Sequence, residues 1–335
     1  MFNKRPSDEF LALLRRAGSA NKAESLEAQE QIAKAIELPL RQGILVGDIT
    51  GNIFERIAVA PGTSTEYPLD LLAPGEEADF VAFTNPGHGR IPQSSVEGDY
   101  VMIHTYSIVN SIDYLLRYAR DARWDIIGRC AQILEAGFVK KINDDAWHTI
   151  LAAGVDRNIM IYDADAAPGQ FTKRLVSLLK IVMRRNAGGN TASLKRGLLT
   201  DLYLSPEGVE DVRNWGIDQV DELTRREIYT SSDGSGSMTR IFGVNLNPLV
   251  EFGENQEYQN YFSSQLSGTL GDGTDVELVV GLDLSNRDSF VMPVKQEVQI
   301  YTDNNMHREQ RAGMYGSMEA GFGVLDNRRV LLGSF

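Results

Sequence analysis

Ser111 to Lys141 reads SIDYLLRYARDARWDIIGRCAQILEAGFVKK, and its apolar residues recur in steps of three and four. Ile112, Leu115, Leu116, Ala119, Ala122, Ile126, Ile127, Cys130, Ile133, Leu134 and Phe138 form a continuous stripe, while arginines and carboxylates fill most of the opposite face. This period, with no proline to interrupt it, predicts a helix. It extends back to Ser107 as far as the pattern allows. Gly137 and NDDAW (Asn143–Trp147) are expected to bend or break its end, with a last turn reaching Ala153. At 1.5 Å per residue the quoted stretch is about 46 Å long. A compact chain of this size would be only about 50 Å across. A spine of that length suits a flat subunit that needs neighbours.

The pattern changes along the rest of the chain. Ser7 is the expected N-cap of a first helix carrying Phe10, Leu11, Leu13 and Leu14, which Gly18 and Ser19 break. Ala23–Leu38 is helical but weakly apolar, marginal alone, and is expected to act as an arm lying on something else. Gly43–Ser107 has strand character in NIFERIAVA, ADFVAF and DYVMIHTYSI, separated by Pro-Gly bends. With few large apolar residues it builds no core of its own and is expected to drape over another surface. NIMIYD predicts a strand, and Phe171–Arg185 a second helix with Leu175, Leu178, Leu179 and Val182 on one face, ended by NAGGN. Leu198–Leu204 predicts a buried strand running into Ser205-Pro206-Glu207, an N-cap followed by proline at the first helical position. Asp218–Glu227 predicts a short helix, SSDGSGS (Ser231–Ser237) an exposed loop, and the tail from Val276 mainly strands.

The apolar share of 42% is ordinary for a soluble chain of 335 residues, which leaves room for one large domain or two modest ones. No apolar run reaches the length of a membrane span, and MFNKRPSDEFLALLRRAG lacks the uncharged core of a signal peptide. Cys130 is the single cysteine, which excludes an intrachain disulfide framework and points to a reducing cytoplasm. The net charge of −13 argues against a surface that grips nucleic acid everywhere. It leaves open a container that holds DNA without sticking to it. Charge is also uneven. Between Gln42 and Ser107 there are nine acids against Arg56 and Arg90. From Phe171 to Gly197 stand Lys173, Arg174, Lys180, Arg184, Arg185, Lys195 and Arg196 with no acid. Most such runs are solvated surface; the sharper reading is that opposite patches meet on neighbouring copies.

Candidate chemistry is sparse, and the expectation is no catalytic, cofactor-binding or metal-binding residue. His88, His104, His148 and His307 have no zinc-ligand spacing, and His104 is expected to be packed in an apolar strand. Ser177–Lys180 matches S-x-x-K only by lying on an amphipathic helix without the companion elements. GDGTD (Gly271–Asp275) lacks the further oxygens of a calcium loop and reads as a hairpin turn. DADA (Asp163–Ala166) reads as a solvated loop. Trp124, Trp147 and Trp215 fit core or interface positions.

The order of these elements resembles that of the tailed-bacteriophage major capsid proteins, the Hong Kong 97-type fold. LTDLYLSPEGVEDVR (Leu199–Arg213) is similar to the strand, Ser-Pro-Glu and short helix of the family's axial domain. Glu297–Gly333 resembles its closing segment. The resemblance implies an α+β chain: N-terminal arm 1–42, extended β loop 43–106, peripheral domain with a long spine helix 107–167 and 268–335, and axial domain 168–267, with SSDGSGS near the ring axis. It implies a non-enzymatic shell protein of the virion, assembled in the bacterial cytoplasm into hexamers and pentamers around double-stranded DNA held without sequence preference. Gly43, Gly47, Gly137 and Gly154 are the candidate hinges between the two rings. The implied partners are other copies of the chain and a portal, with no membrane. The chain has no lysine from Ala35 to Val139, so covalent crosslinking through a loop lysine is ruled out. Noncovalent contacts or a decoration protein then supply the strength. Only about forty residues precede the loop, which implies a separate scaffolding protein. The alternatives are an encapsulin-like nanocompartment shell, a cytoplasmic α/β enzyme, and a tail or neck component.

Overall fold

The computed structural model describes residues 7–68, 100–186, 197–215, 240–271, 275–285, 287–303 and 309–335. ADFVAF, most of the acidic run, the helix expected at Asp218–Glu227, SSDGSGS, His88, His307, Lys195 and Arg196 lie outside the described residues. In chain order the first helices are α1 (Asp8–Ala17) and α2 (Lys22–Gly47). Strands β1 (Glu55–Ala58), β2 (Glu66–Pro68), β3 (Tyr100–Met102) and β4 (Tyr106–Leu115) follow, then α3 (Leu116–Arg120) and α4 (Trp124–Asp156). Next come β5 (Met160–Ile161), α5 (Lys173–Asn186), β6 (Asp201–Leu204), α6 (Pro206–Asn214), β7 (Arg240–Ile241), β8 (Val244–Pro248) and α7 (Glu257–Ser264). The chain closes with β9 (Leu278–Leu282), β10 (Phe290–Asp303), β11 (Arg311–Ala320), β12 (Gly323–Val324) and β13 (Val330–Ser334). It forms two compact units, one of Met1–Glu66, Met102–Ala146 and Val291–Gly323, the other of Tyr67–Val101, Trp147–Phe290 and Val324–Phe335. The partition therefore differs from the sequence boundaries at 167 and 268. β5, β9 and β13 hydrogen-bond into the same sheet as β6 and β8, so they cluster with the middle of the chain.

The first unit is built on the sheet β1-β10-β11-β4. β10 and β11 are antiparallel with two register shifts, and β11 pairs β4 in unbroken register from Arg311↔Leu115 to Ala320↔Tyr106. This pairing corrects the expected start of the spine helix. Ile108 and Tyr114 are buried on the alternating side of a strand, a pattern that the helical reading of the same apolar residues also accommodates. The strand partner decides between them. The chain turns at Asp121–Ala122, where Ala122 has φ 51°, and the long helix begins only at Trp124. It then runs 33 residues, about 50 Å, through the expected break. Its stripe Ile127, Ala131, Leu134, Phe138, Ile142 and Ala146 is buried. The polar cluster NDDA does not interrupt it because each polar group is satisfied sideways. Asn143 donates to the Gly47 carbonyl (3.4 Å) and accepts from Ile49 N–H (3.2 Å). Asp144 and Asp145 pair with Lys140 (3.7 Å) and Lys141 (2.7 Å) one turn back.

The N-terminal helices begin as the sequence expects: Ser7 accepts from Phe10 N–H at 3.4 Å. The second helix, however, does not end at Leu38. It continues through Pro39 to Gly47 and buries Ala28, Ile32, Ala33, Ile36, Leu40 and Ile44 on its own chain. Arg41 Nε donates to the Val298 carbonyl of β10 at 2.7 Å, beyond the point where β1 stops covering that strand's edge. Residues 22–44 are thus docked within the unit, not free of it. The proposed hinge glycines are also close contacts. A Cβ at Gly47 would stand 2.9 Å from Val139, and side chains of Glu135 and Asn110 occupy the space beside Gly43 and Gly137. All three sit inside helices, where they let neighbouring elements approach.

The second unit is the mixed sheet β5-β13-β9-β6-β8-β7. β9 and β13 are buried at every position, as strands covered on both faces must be. One face carries Leu202, Leu204, Leu246, Val279 and Leu331, packed under α5 and α6 in a single core with Phe171, Trp215 and Phe335. On the opposite face Trp147 meets Tyr203 (4.7 Å between ring centroids) and Phe252 (5.1 Å). There the fourth candidate hinge, Gly154, lies against Leu332, 2.6 Å from where its Cβ would be. The expected N-cap of α6 is present: Ser205 Oγ accepts from Gly208 N–H at 3.1 Å, with Pro206 first in the helix.

Candidate assembly surfaces

In the first unit the C-terminal end of α2 and the turn after it expose apolar side chains, while the rest of the helix's outward side is polar, with Glu27, Glu30, Gln31 and Lys34. Leu38, Leu45, Val46 and Ile49 are exposed, Val46 to 88%. Leu38 and Leu45 are two helical turns apart and share a side. Exposed apolar side chains clustered in this way mark interaction surfaces more often than scattered ones do. Val109 on β4 is also exposed, by 59%. Between α2 and the sheet lies a groove with Glu30, Lys34 and Glu37 on one wall and the stacked pair Tyr301 and Tyr315 (5.2 Å) on the other. The helix expected from the sequence ends at Leu38 and the strand-like stretch begins at Gly43, so Leu45 and Val46 are not expected on this helix. The signal was there in the seven-residue spacing of Leu38 and Leu45.

In the second unit the outer side of α5 is basic: Lys173, Arg174, Lys180, Arg184 and Arg185 are exposed, and the helix has no acid. Arg174 is engaged by Asp163 (3.3 Å) and Asp165. This also revises the DADA loop, since the Asp163 side chain is nearly buried and accepts from Thr172 Oγ1 at 2.7 Å. The neighbouring α6 presents Glu207 and Glu210. Beneath it the buried Glu277 carboxyl accepts the Ser205 hydroxyl; burial holds it above the usual carboxylate range, against the effect of that bond.

Among the described residues, most of those singled out for chemistry are held in structural contacts. Ser177 donates to the Lys173 carbonyl (3.1 Å) and Lys180 to the Phe242 carbonyl (2.8 Å). His104 is exposed between β3 and β4, not packed in a strand, because the adjacent Ile103 takes the inward position. His148 stacks on Tyr261 at 3.7 Å. Burial and the charge of Asp113 push the Cys130 thiol up, away from the thiolate that nucleophilic chemistry needs. Trp147 and Trp215 are core residues, and Trp124 meets Phe10 edge-on at 5.1 Å. Of GDGTD only Gly271 and Asp275 are described. Among the described residues no group of three or more His, Cys, Asp or Glu could hold a metal ion, and no helix is long and apolar enough to cross a membrane.

No protein-family model matches the chain, and no curated protein matches it in sequence. Solved structures do match in fold. The head structure of Helicobacter pylori bacteriophage KHP40 superposes with a TM-score of 0.56 at 9% identity, over 86% of this chain and 91% of that one. A chain from Microbacterium phage Oxtober96 gives 0.55 at 10% identity, over 86% and 90%. The capsid of a native GTA particle gives 0.53 at 13% identity, over 85% and 89%. The chain is an α+β protein with the Hong Kong 97-type capsid fold. At these identities the likeness is one of architecture.

Proposed function

We propose that this chain is the major capsid protein of a tailed bacteriophage, a structural protein without catalytic function. Copies form sixfold and fivefold rings that close into an icosahedral shell around double-stranded DNA. The observation that carries this reading is the fold match over 86% of the chain to a phage head structure, with nearly all of that neighbour's length matched in return. Within this reading the segment around 43–106 is the extended loop, α4 the spine, and 168–267 the axial region. A separate scaffolding protein, a portal and a decoration protein are the expected partners. Ring contacts between identical chains are heterologous and close only when the rotation fits. The subunit burial should exceed the ~1,600 Å² of a standard interface severalfold.

The test is to express the full chain and examine it by size-exclusion chromatography and negative-stain microscopy. Closed shells or capsomer rings are the expected result, and a stable monodisperse monomer would sink the reading. Protein cargo instead of duplex DNA inside native particles would redirect it to a nanocompartment shell.

A further inference from the structure

The helical layer of the second unit is electrically two-sided. α5 and α6 pack on one face of the sheet into one core. Asp211 of α6 accepts the Phe171 N–H at 2.8 Å, which fixes the start of α5 against α6. Lys180, Arg184 and Arg185 therefore lie about 12 to 20 Å further along the helix axis from that junction. The Debye length at physiological salt is about 8 Å, so the basic end and the acidic α6 do not cancel. Lys180, Arg184 and Arg185 are all exposed at one end. At the other stand Glu207, Glu210 and Glu254, the last in the turn beside Glu207 and acting with it on the buried Glu277. The cations at that end are matched by carboxylates, Arg213 by Glu210 (3.1 Å) and Arg174 by Asp163 and Asp165, so the end stays acidic in sum. The basic end is not an isolated excess in a basic protein, since the chain as a whole carries −13.

We propose that the basic end of α5 in one copy docks against the acidic α6 surface of the next copy around the ring, and that this charge pairing sets the direction of ring growth. The inference rests on the capsid reading and adds to it the surfaces that meet. A twofold contact that set α5 against α5 would oppose like charges, which costs several kcal/mol at an interface. A head-to-tail contact opposes unlike ones at every step, which is the arrangement a closed ring requires. The alternative occupant of the basic end is the phosphate backbone of DNA. The adjacent acidic helix disfavours it, because a duplex lying along this layer would meet both signs.

The test uses the full chain with the two ends reversed separately. Lys180→Glu with Arg184→Glu makes both ends acidic, and Glu210→Lys with Glu254→Lys makes both ends basic. Each variant alone should lose ring formation about tenfold or more at low salt, tenfold being the effect of 1.4 kcal/mol. Mixed in equal amounts they should recover sixfold rings, in which the two variants alternate and every contact is complementary. They should not recover fivefold rings, because an odd ring cannot alternate. The chain with all four substitutions should form both. Circular dichroism checks that each variant is folded; should one not be, Arg184→Gln and Glu210→Gln must each weaken the salt sensitivity of ring assembly, and an unchanged salt dependence in both overturns the proposal. Wild-type-like rings from either reversed variant, or no recovery in the mixture and the fourfold variant, overturn the proposal. So do normal rings from the α5 variant that no longer retain duplex DNA. If the unmodified chain makes neither rings nor shells, the capsid reading itself falls and takes this inference with it.

Discussion

Glycine positions show how finely single residues set the packing. A methyl at Gly154 would stand 2.6 to 2.9 Å from three carbons of the buried Leu332, which has no room to retreat. Overpacking of about 1–3 kcal/mol exceeds the gain of up to ~1 kcal/mol that alanine brings to a helix. Gly154→Ala should therefore lower stability in urea denaturation. Gly43→Ala should not, since only the flexible end of Glu135 stands in the way and can swing aside. Glu277 and Asp326 give opposite pH signatures. Burial raises the Glu277 carboxyl above its ordinary value of 4.5. The folded state then holds a proton that the unfolded state releases, so stability falls as pH rises through that window and is level above it. Glu277→Gln, which still accepts from Ser205, should remove this slope and raise neutral-pH stability. For Asp326 burial acts upward, but Arg328 hydrogen bonds and charge outweigh it and hold the carboxyl low. Its contribution is present above the ordinary carboxylate value and is lost as pH falls through the lowered one. Asp326→Asn should flatten the acid limb of a thermal-melt series, where Glu277→Gln changes the limb just above it.

Elements are decided by what lies beside them. α2 is weakly apolar and contains Pro39, which removes a helix hydrogen bond, so its stability comes from docking. Leu40→Ala should cost about 2–5 kcal/mol, the range for deleting a buried leucine. A free arm would show no such loss, so equilibrium unfolding separates the two states. Ser205→Ala should cost about 1–2 kcal/mol through its cap, and more at neutral pH because the Glu277 carboxylate then loses its donor. The α6 boundary was legible in sequence because cap, proline and helix are local. The start of α4 was not. Tyr106–Leu115 suits a helix stripe and a strand alternation alike, and β11, two hundred residues away, selects the strand.

At the scale of the molecule, the exposed apolar end of α2 predicts a phenotype confined to assembly. Leu38→Asp with Val46→Asp changes side chains that the folded chain leaves exposed, so its melting temperature should stay at the wild-type value. In sedimentation the variant should remain as subunits where wild type forms larger particles. A fall in melting temperature without an assembly defect would place these residues in folding instead. The basic run of α5 and the spacing of Leu38 and Leu45 are local and present in the sequence; that an acidic α6 packs beside α5 became visible only in space.

By itself the sequence determined the caps at Ser7 and Ser205, the helix of α5 and the strand character of the tail from Val276. These rest on local periodicity and turn chemistry, which a chain carries wherever it folds. Tertiary structure decided that Ser107–Leu115 is a strand, that 22–44 lies docked within its own unit, and that β5, β9 and β13 join one sheet with β6 and β8. It also made close contacts of the glycines that looked like hinges. Each of these depends on a partner far along the chain, and the free energy of pairing and burial there outweighs a local preference of a few tenths of a kcal/mol per residue.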